Sequence, residues 1–67
     1  MNIDRLTGNT QDLAIHLHQT RDLDQLHNSI NQIHAPDGVC EKWNVDEEQY
    51  FSAVLAAYYE VLDDRGM

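Results

Sequence analysis

The most regular pattern of apolar and polar positions lies near the end of the chain, in residues 46–63. On a helix, where successive residues turn by about 100°, this segment carries two adjacent apolar stripes. The first stripe consists of Phe51, Val54, Leu55, Tyr58 and Leu62, and the second of Tyr50, Ala53, Ala57 and Val61. The pattern therefore predicts a helix over about 46–63.

Both ends of this helix carry matching signals. Asn44 or Asp46 is a candidate N-cap, and Glu47 or Gln49, three residues further on, would complete a capping box. Gly66 stands where a helix commonly ends, because glycine adopts the left-handed conformation without strain. Together these signals predict that the last helix begins near Asp46 and ends before Gly66.

The apolar surface of the last helix is unusually wide. The two stripes, together with Tyr59 at the far margin of the first, cover an arc of roughly 240°, whereas the apolar arc of a surface helix is somewhat over 100° wide. One explanation is that this helix is the centre of a bundle. The other is that part of the arc is a contact face for a partner, which suits tyrosine-rich surfaces and the small pair Ala56-Ala57. The sequence leaves both explanations open.

A first, shorter helix is predicted over residues 10–19. Leu13, Ala14 and Leu17 have helical spacing, and Asn9 is a candidate N-cap. Leu13, Ile15 and Leu17 also alternate, so a short strand over 13–18 is the alternative. We favour the helix, because the chain offers no second strand pattern and a lone strand cannot satisfy its backbone hydrogen bonds.

A second helix is predicted over residues 21–34. Its apolar stripe, spaced by 3, 4 and 3 residues, consists of Leu23, Leu26, Ile30 and Ile33. The stripe is out of phase with the one before it, which indicates a bend near Thr20. Thr20 is a candidate cap for the new helix, with Asp22 in its first turn.

The segment 35–45 is predicted to be a loop. Ala35-Pro36-Asp37-Gly38 is a strong turn sequence, since proline and Asp-Gly favour turn conformations. Val39, Cys40 and Trp43 follow, and a loop with so many apolar groups is expected to fold back over the core. Trp43 is then either a lid on the core or a contact residue.

These elements predict a single small all-α domain, 1–67, with three helices over about 10–19, 21–34 and 46–63. A chain of 67 residues is long enough for one domain with a thin core. No apolar run approaches the roughly 20 residues of a membrane helix. The start, Met1-Asn2-Ile3-Asp4-Arg5, lacks the pattern of a signal peptide, so we expect a cytoplasmic protein without membrane contact.

Charge narrows the range of partners. Twelve acidic residues face four basic ones, giving a formal net charge of −8. Such a field repels phosphate backbones, which argues against direct nucleic-acid binding and favours a protein with a basic surface. The alternative is that the acidity only maintains solubility.

The candidates for chemistry are weak. His16, His18, His27 and His34 lack the paired spacing of zinc motifs, although His27 and His34 would share a helix face with Cys40 nearby. The single cysteine fits a reducing compartment, and no oxyanion loop or phosphate-binding glycine motif accompanies it. We therefore expect no enzyme activity, no cofactor and no metal.

Two short helices are predicted between Asp12 and Ile33, a stretch that includes Leu23-Asp24-Gln25-Leu26, and the pair Ala56-Ala57 lies in the last helix. This arrangement resembles the Hha/YmoA family of small nucleoid-associated modulators. The chain departs from that family at Tyr58-Tyr59-Glu60, where the family has Asp-His-Arg, and it lacks the basic character of the family. The resemblance implies a transcription modulator.

The leading hypothesis is a small acidic inhibitor or modulator that occupies a basic, nucleic-acid-binding surface of its target. Analogous inhibitors of CRISPR complexes, restriction systems and host regulators are encoded by phages and other mobile elements. The predicted contact residues are Asp22, Asp24, Trp43, Glu47, Glu48, Tyr50, Tyr59, Glu60, Asp63 and Asp64. The alternative is a structural or regulatory subunit, or a homodimeric transcription modulator, that docks through the apolar face of the last helix.

Overall fold

The computed structural model describes residues 3–66, and α-helices account for most of them. After a short 3-10 helix at Ile3–Arg5 come α1 (Gly8–Thr20), α2 (Leu23–Ile30), α3 (Val39–Trp43) and α4 (Glu47–Asp64). The described residues include no strand, so the all-α prediction is confirmed. The alternative strand over 13–18 is wrong, because these residues lie inside α1.

The start of α1 differs from the prediction. The helix begins at Gly8, and the residue in the N-cap position is Thr7, whose side chain makes no capping hydrogen bond. Asn9, the predicted cap, instead donates from its side-chain amide to the carbonyl oxygen of Asn44 at 3.4 Å. This contact ties the first turn of α1 to the segment that leads into α4.

The predicted bend between the first two helices is confirmed, but its cap is not Thr20. Arg21 has the left-handed backbone conformation, with φ of 53°, and separates α1 from α2. Asp22 is the N-cap of α2, where its carboxylate accepts from the backbone N–H of Gln25 at 3.1 Å. The Thr20 hydroxyl donates to the carbonyl oxygen of Leu17 at 2.8 Å and so closes α1.

Helix α2 is shorter than predicted. It ends at Ile30 and Asn31 follows as the C-cap, so Ile33 is exposed instead of continuing the stripe. Proline disfavours helical geometry in the residue before it, and Pro36 therefore keeps Ala35 out of a helix. The backbone N–H of Ala35 donates to Oε2 of Glu47 at 3.1 Å, which turns the chain toward the start of α4.

The predicted loop 35–45 contains one further helix, α3. Gly38 precedes α3 with φ of 83°, a conformation that glycine adopts without strain. Val39, Cys40 and Trp43 pack against the core while remaining partly exposed. The expectation that this segment folds back over the core is confirmed, and Trp43 packs against the core while part of its side chain stays accessible.

Helix α4 is the centre of the domain. It packs along α1 and α2, and its residues Ala53, Val54 and Ala57 are completely buried. His18 and Asp64 meet near the ends of α1 and α4, while Asn9 and Asn44 meet near their starts, so the two helices run in parallel. Helix α2 runs the opposite way. Most of the wide apolar arc of α4 is therefore buried against the rest of the chain.

The start of α4 is fixed by the predicted capping box. The carboxylate of Asp46 accepts from the backbone N–H of Gln49 at 2.7 Å, and the Gln49 side chain accepts from the backbone N–H of Asp46 at 2.9 Å. The end is closed by Gly66, whose N–H donates to the carbonyl oxygen of Asp63 at 3.0 Å. Both ends of the central helix therefore follow from the sequence.

Removing the cap should weaken the whole domain, since α4 contacts both other long helices. We expect Asp46→Ala to lower the free energy of unfolding by about 1 kcal/mol, measured by urea denaturation. Asp12→Ala is the matched control, because it removes the same exposed carboxylate from a position inside α1. Equal losses in both variants would mean that the capping box has no specific effect.

Candidate functional site

The acidic side chains lie almost entirely on the surface. Of the twelve, only Glu60 is buried, and the other eleven are exposed. Within residues 3–66, no lysine or arginine nitrogen lies within 4.0 Å of a carboxylate, and the carboxylates that have a nitrogen at this distance are Asp64, beside His18, and Glu47, beside His34. The negative charge of the surface is therefore not neutralised by neighbouring cations.

The predicted contact residues with acidic side chains divide into two groups at opposite ends of α4. Glu47 and Glu48 lie at the start of α4. Asp63 and Asp64 lie at the end of α4. The start of α2 is close to this end, as shown by the Arg65 guanidinium, which donates to the carbonyl oxygen of Arg21 at 3.3 Å. The second group, which we call the α2/α4 acidic end, consists of Asp22, Asp24, Asp63 and Asp64.

A line of exposed residues on α4 joins the two groups. We call it the outer ridge, and its members are Glu48, Ser52, Leu55, Tyr59 and Asp63. Residues three or four apart lie on one helix face, so these five side chains are neighbours along the same line. With a rise of 1.5 Å per residue, Glu48 and Asp63 are about 22 Å apart. Leu55 is 39% exposed and Tyr59 is 50% exposed.

Two predicted contact residues are not available on the surface. Tyr50 is 4% exposed and belongs to the core, where its ring packs edge-on against Phe51. Glu60 is 2% exposed because it lies on the side of α4 that faces the rest of the bundle. Neither side chain is accessible on the surface of this structure, and the sequence did not show which sides of α4 the rest of the chain covers.

The acidic end of α4 has a partial local explanation. Negative charge at a helix C-terminus is disfavoured by the helix dipole. Asp64 gains a partner, since its Oδ2 lies 2.7 Å from Nε2 of His18. For Asp63 the structure gives no compensating side-chain contact within residues 3–66. A local contact therefore compensates for the unfavourable position of Asp64 but not for that of Asp63.

Two of the surface cavities that the described residues line are relevant to binding. The larger, about 420 Å³, is a polar groove at the start of α4, beside Arg5, Asp46 and Glu48. The smaller, about 240 Å³, is more enclosed and lies between α1, α2 and α3, with Trp43 in its wall. The rings of Trp43 and His16 are 5.2 Å apart at the edge of this smaller cavity.

The predicted histidine face does not form. His27 lies in α2, but His34 lies beyond its end, so the two do not share a helix face. Within the part of the chain that the structure describes, no three histidine, cysteine or acidic side chains are placed to hold a metal ion together. None of the helices in residues 3–66 has the length and apolar character required to cross a membrane.

Sequence reasoning missed two features of the surface. Leu55 was assigned to the apolar stripe alone, although it shares the line Glu48, Ser52, Leu55 and Tyr59 with polar residues. The spacing of that line at 4, 3 and 4 residues was a usable signal. The cavity beside Trp43 depends on how α1, α2 and α3 pack together, and no local sequence pattern predicts it.

Comparison with known proteins adds no family assignment: no family model, curated protein or solved structure matches this chain.

Proposed function

We propose that this chain is a small acidic protein-binding modulator that occupies a basic, nucleic-acid-binding surface of a target protein. The observation that carries the proposal is the exposed and unneutralised acidity. Eleven of twelve acidic side chains are exposed, and within residues 3–66 none has a lysine or arginine within ion-pair distance. A surface whose carboxylates are not paired with the protein's own lysines and arginines is complementary to a partner rich in lysine and arginine.

The shape of the acidic surface supports an extended contact. Glu47 and Glu48 at one end and the α2/α4 acidic end at the other are separated by about 22 Å along α4. A partner that touches both ends must also cover the outer ridge between them. Nucleic-acid-binding proteins present basic charge over comparable lengths, because phosphates repeat along a backbone.

The centre of the outer ridge supplies apolar anchors. Leu55 and Tyr59 are the exposed large apolar residues of α4, and they lie between the two acidic groups. Tyrosine combines contact area with a hydrogen-bonding hydroxyl and is frequent among residues that dominate binding energy. Charge then steers the encounter, while Leu55 and Tyr59 slow dissociation. Trp43 is partly exposed and is a secondary contact residue for the partner in this proposal.

Known inhibitors encoded by phages and mobile elements, including inhibitors of CRISPR complexes, provide the analogy for such a role. We extend it to this chain as part of the proposal. A modulator of this kind acts by stoichiometric binding and uses no catalytic group or cofactor. Its site of action is the cytoplasm, where nucleic-acid-handling complexes reside.

The test is affinity capture on the immobilised chain from a lysate of the source organism, at low and at high salt. We expect a nucleic-acid-handling protein to be captured at low salt, displaced by its own nucleic acid, and lost at high salt. Capture that resists both salt and nucleic acid would contradict the proposal.

Neutralising the ends of the outer ridge provides the mutational test. We expect the double variant Glu48→Gln and Asp63→Asn to raise the Kd for the captured target by about fivefold, mainly through slower association. The matched control is Asp12→Asn with Asp37→Asn, which removes two exposed carboxylates that are not part of α4. Equal effects in both double variants would show that overall charge acts without a defined surface.

A second candidate function is supported by the exposure of Leu55 and Tyr59 itself. In that case the chain is a structural or regulatory subunit, or a homodimeric transcription modulator, that docks through α4. Self-association of two copies with a net charge of −8 each is opposed at low salt and should strengthen as salt is added. Sedimentation at both salt concentrations separates the candidates, since acidic binding to a basic target has the opposite salt dependence.

A further inference from the structure

The smaller cavity, between α1, α2 and α3, has an apolar interior. Its walls include Leu13, Leu17, Leu26, Val39 and Trp43. Leu13 and Leu26 are almost completely buried and form its floor, while Val39 and Trp43 are partly exposed and form its outer wall. These walls suit an apolar body that contacts methyl groups on one side and an aromatic ring on the other.

The rim of the cavity is polar, and its charge is opposite to that of the protein as a whole. Lys42 and His16 lie on the rim, together with Thr20, Gln25 and Ser29. None of its lining residues is acidic, although the chain has twelve acidic residues and only four lysines and arginines. The Thr20 and Ser29 hydroxyls already donate to backbone carbonyl oxygens, so a negative charge at this rim meets Lys42 and the side-chain amide of Gln25 instead of carboxylates.

The volume limits the size of the occupant. About 240 Å³ is available, which is the share of roughly eight water molecules at about 30 Å³ each. Pockets for drug-sized ligands begin at about 300 Å³. A molecule with a short alkyl chain or a single ring fits this space, and a folded peptide segment does not.

We propose that this cavity binds a small monocarboxylate with an apolar body, such as a medium-chain fatty acid. The apolar body lies against Leu17, Val39 and Trp43, and the carboxylate lies at the rim within reach of Lys42. This site is separate from the outer ridge of α4, so the proposal does not depend on the acidic protein-binding function.

Trp43 provides a direct readout, since it is the only tryptophan of the chain and lines the cavity. Octanoate, at concentrations below micelle formation, is titrated into the purified full chain while Trp43 fluorescence is recorded. We expect a saturable change, with octanol binding about tenfold more weakly because it lacks the charge that Lys42 attracts. Equal binding of octanoate and octanol would overturn the assignment of a carboxylate site.

Variants test the role of the rim cation. We expect Lys42→Met to raise the Kd for octanoate about tenfold and to leave octanol binding unchanged. Arg5→Met is the matched control, because Arg5 is an exposed cation outside this cavity. Amide NMR shifts confined to residues lining the cavity would locate the ligand independently of fluorescence. Shifts that cluster elsewhere, or no saturable response by either method, would overturn the proposal.

Discussion

Leu26→Ala is expected to leave a large fraction of the protein unfolded at room temperature. Leu26 is 2% exposed and is the one buried residue that α2 contributes to the core. Truncating a fully buried leucine to alanine costs about 2–5 kcal/mol, whereas the core of a domain this small rarely supplies more than about 3–5 kcal/mol in total. The loss therefore approaches the entire stability of the fold.

Far-UV circular dichroism during urea denaturation measures this effect. The matched control is Leu55→Ala, which removes the same atoms from a leucine that is 39% exposed on the outer ridge. A surface substitution away from special features stays within about 0.5 kcal/mol, so a partly exposed leucine should lose far less than Leu26. Similar losses in both variants would show that α2 is not anchored through Leu26.

The same pair of variants separates stability from binding. Leu55→Ala is expected to remain folded and to weaken capture of the proposed target, because Leu55 lies at the centre of the outer ridge. A variant that unfolds loses binding for a trivial reason, which is why the comparison begins with the stability of each variant.

The sequence predicted α4 well because its signals are local and agree with one another. The capping box of Asp46 and Gln49, the apolar periodicity and Gly66 all lie within the helix or at its ends. The end of α2 was predicted less well, since Ile33 continues the apolar spacing although the chain has already left the helix at Ile30. There the turn toward Pro36 and the contact of Ala35 with Glu47 decide the outcome, and neither shows in the apolar pattern.

The exposure of the acidic side chains was predictable, whereas the burial of two predicted contact residues was not. Exposure follows from the cost of burying charge, and eight of the ten predicted contact residues are accessible, while Tyr50 and Glu60 are buried. Both buried residues lie on α4, where the sequence could not show which sides of the helix the rest of the chain covers. Which side of a wide arc stays open is a property of the packing of the whole chain.

Glu60→Met is expected to stabilise the domain. Glu60 is 2% exposed, and its Oε2 atom has no hydrogen-bond partner among residues 3–66. A polar atom that has lost its water and has gained no donor raises the free energy of the folded state by about 1–3 kcal/mol. Methionine has a similar length and needs no hydrogen-bond partner, so we expect Glu60→Met to raise the free energy of unfolding by about 1–3 kcal/mol. In a domain of this length, each kcal/mol corresponds to a rise in Tm of about 4–8 °C.

Glu48→Met is the control for the loss of negative charge, because Glu48 is exposed on the same helix. If the gain at Glu60 came only from reducing the repulsion within a chain of net charge −8, Glu48→Met would gain as well, less the favourable interaction of Glu48 with the helix dipole in the first turn of α4. A loss of stability in Glu60→Met, with Glu60→Gln unchanged, would instead mean that the carboxyl group is held by a hydrogen bond.

Target binding gives the second readout. A buried Glu60 cannot touch a partner, so Glu60→Met should bind the target as the unmodified chain does, while Glu48→Met, at the end of the outer ridge, should bind it more weakly.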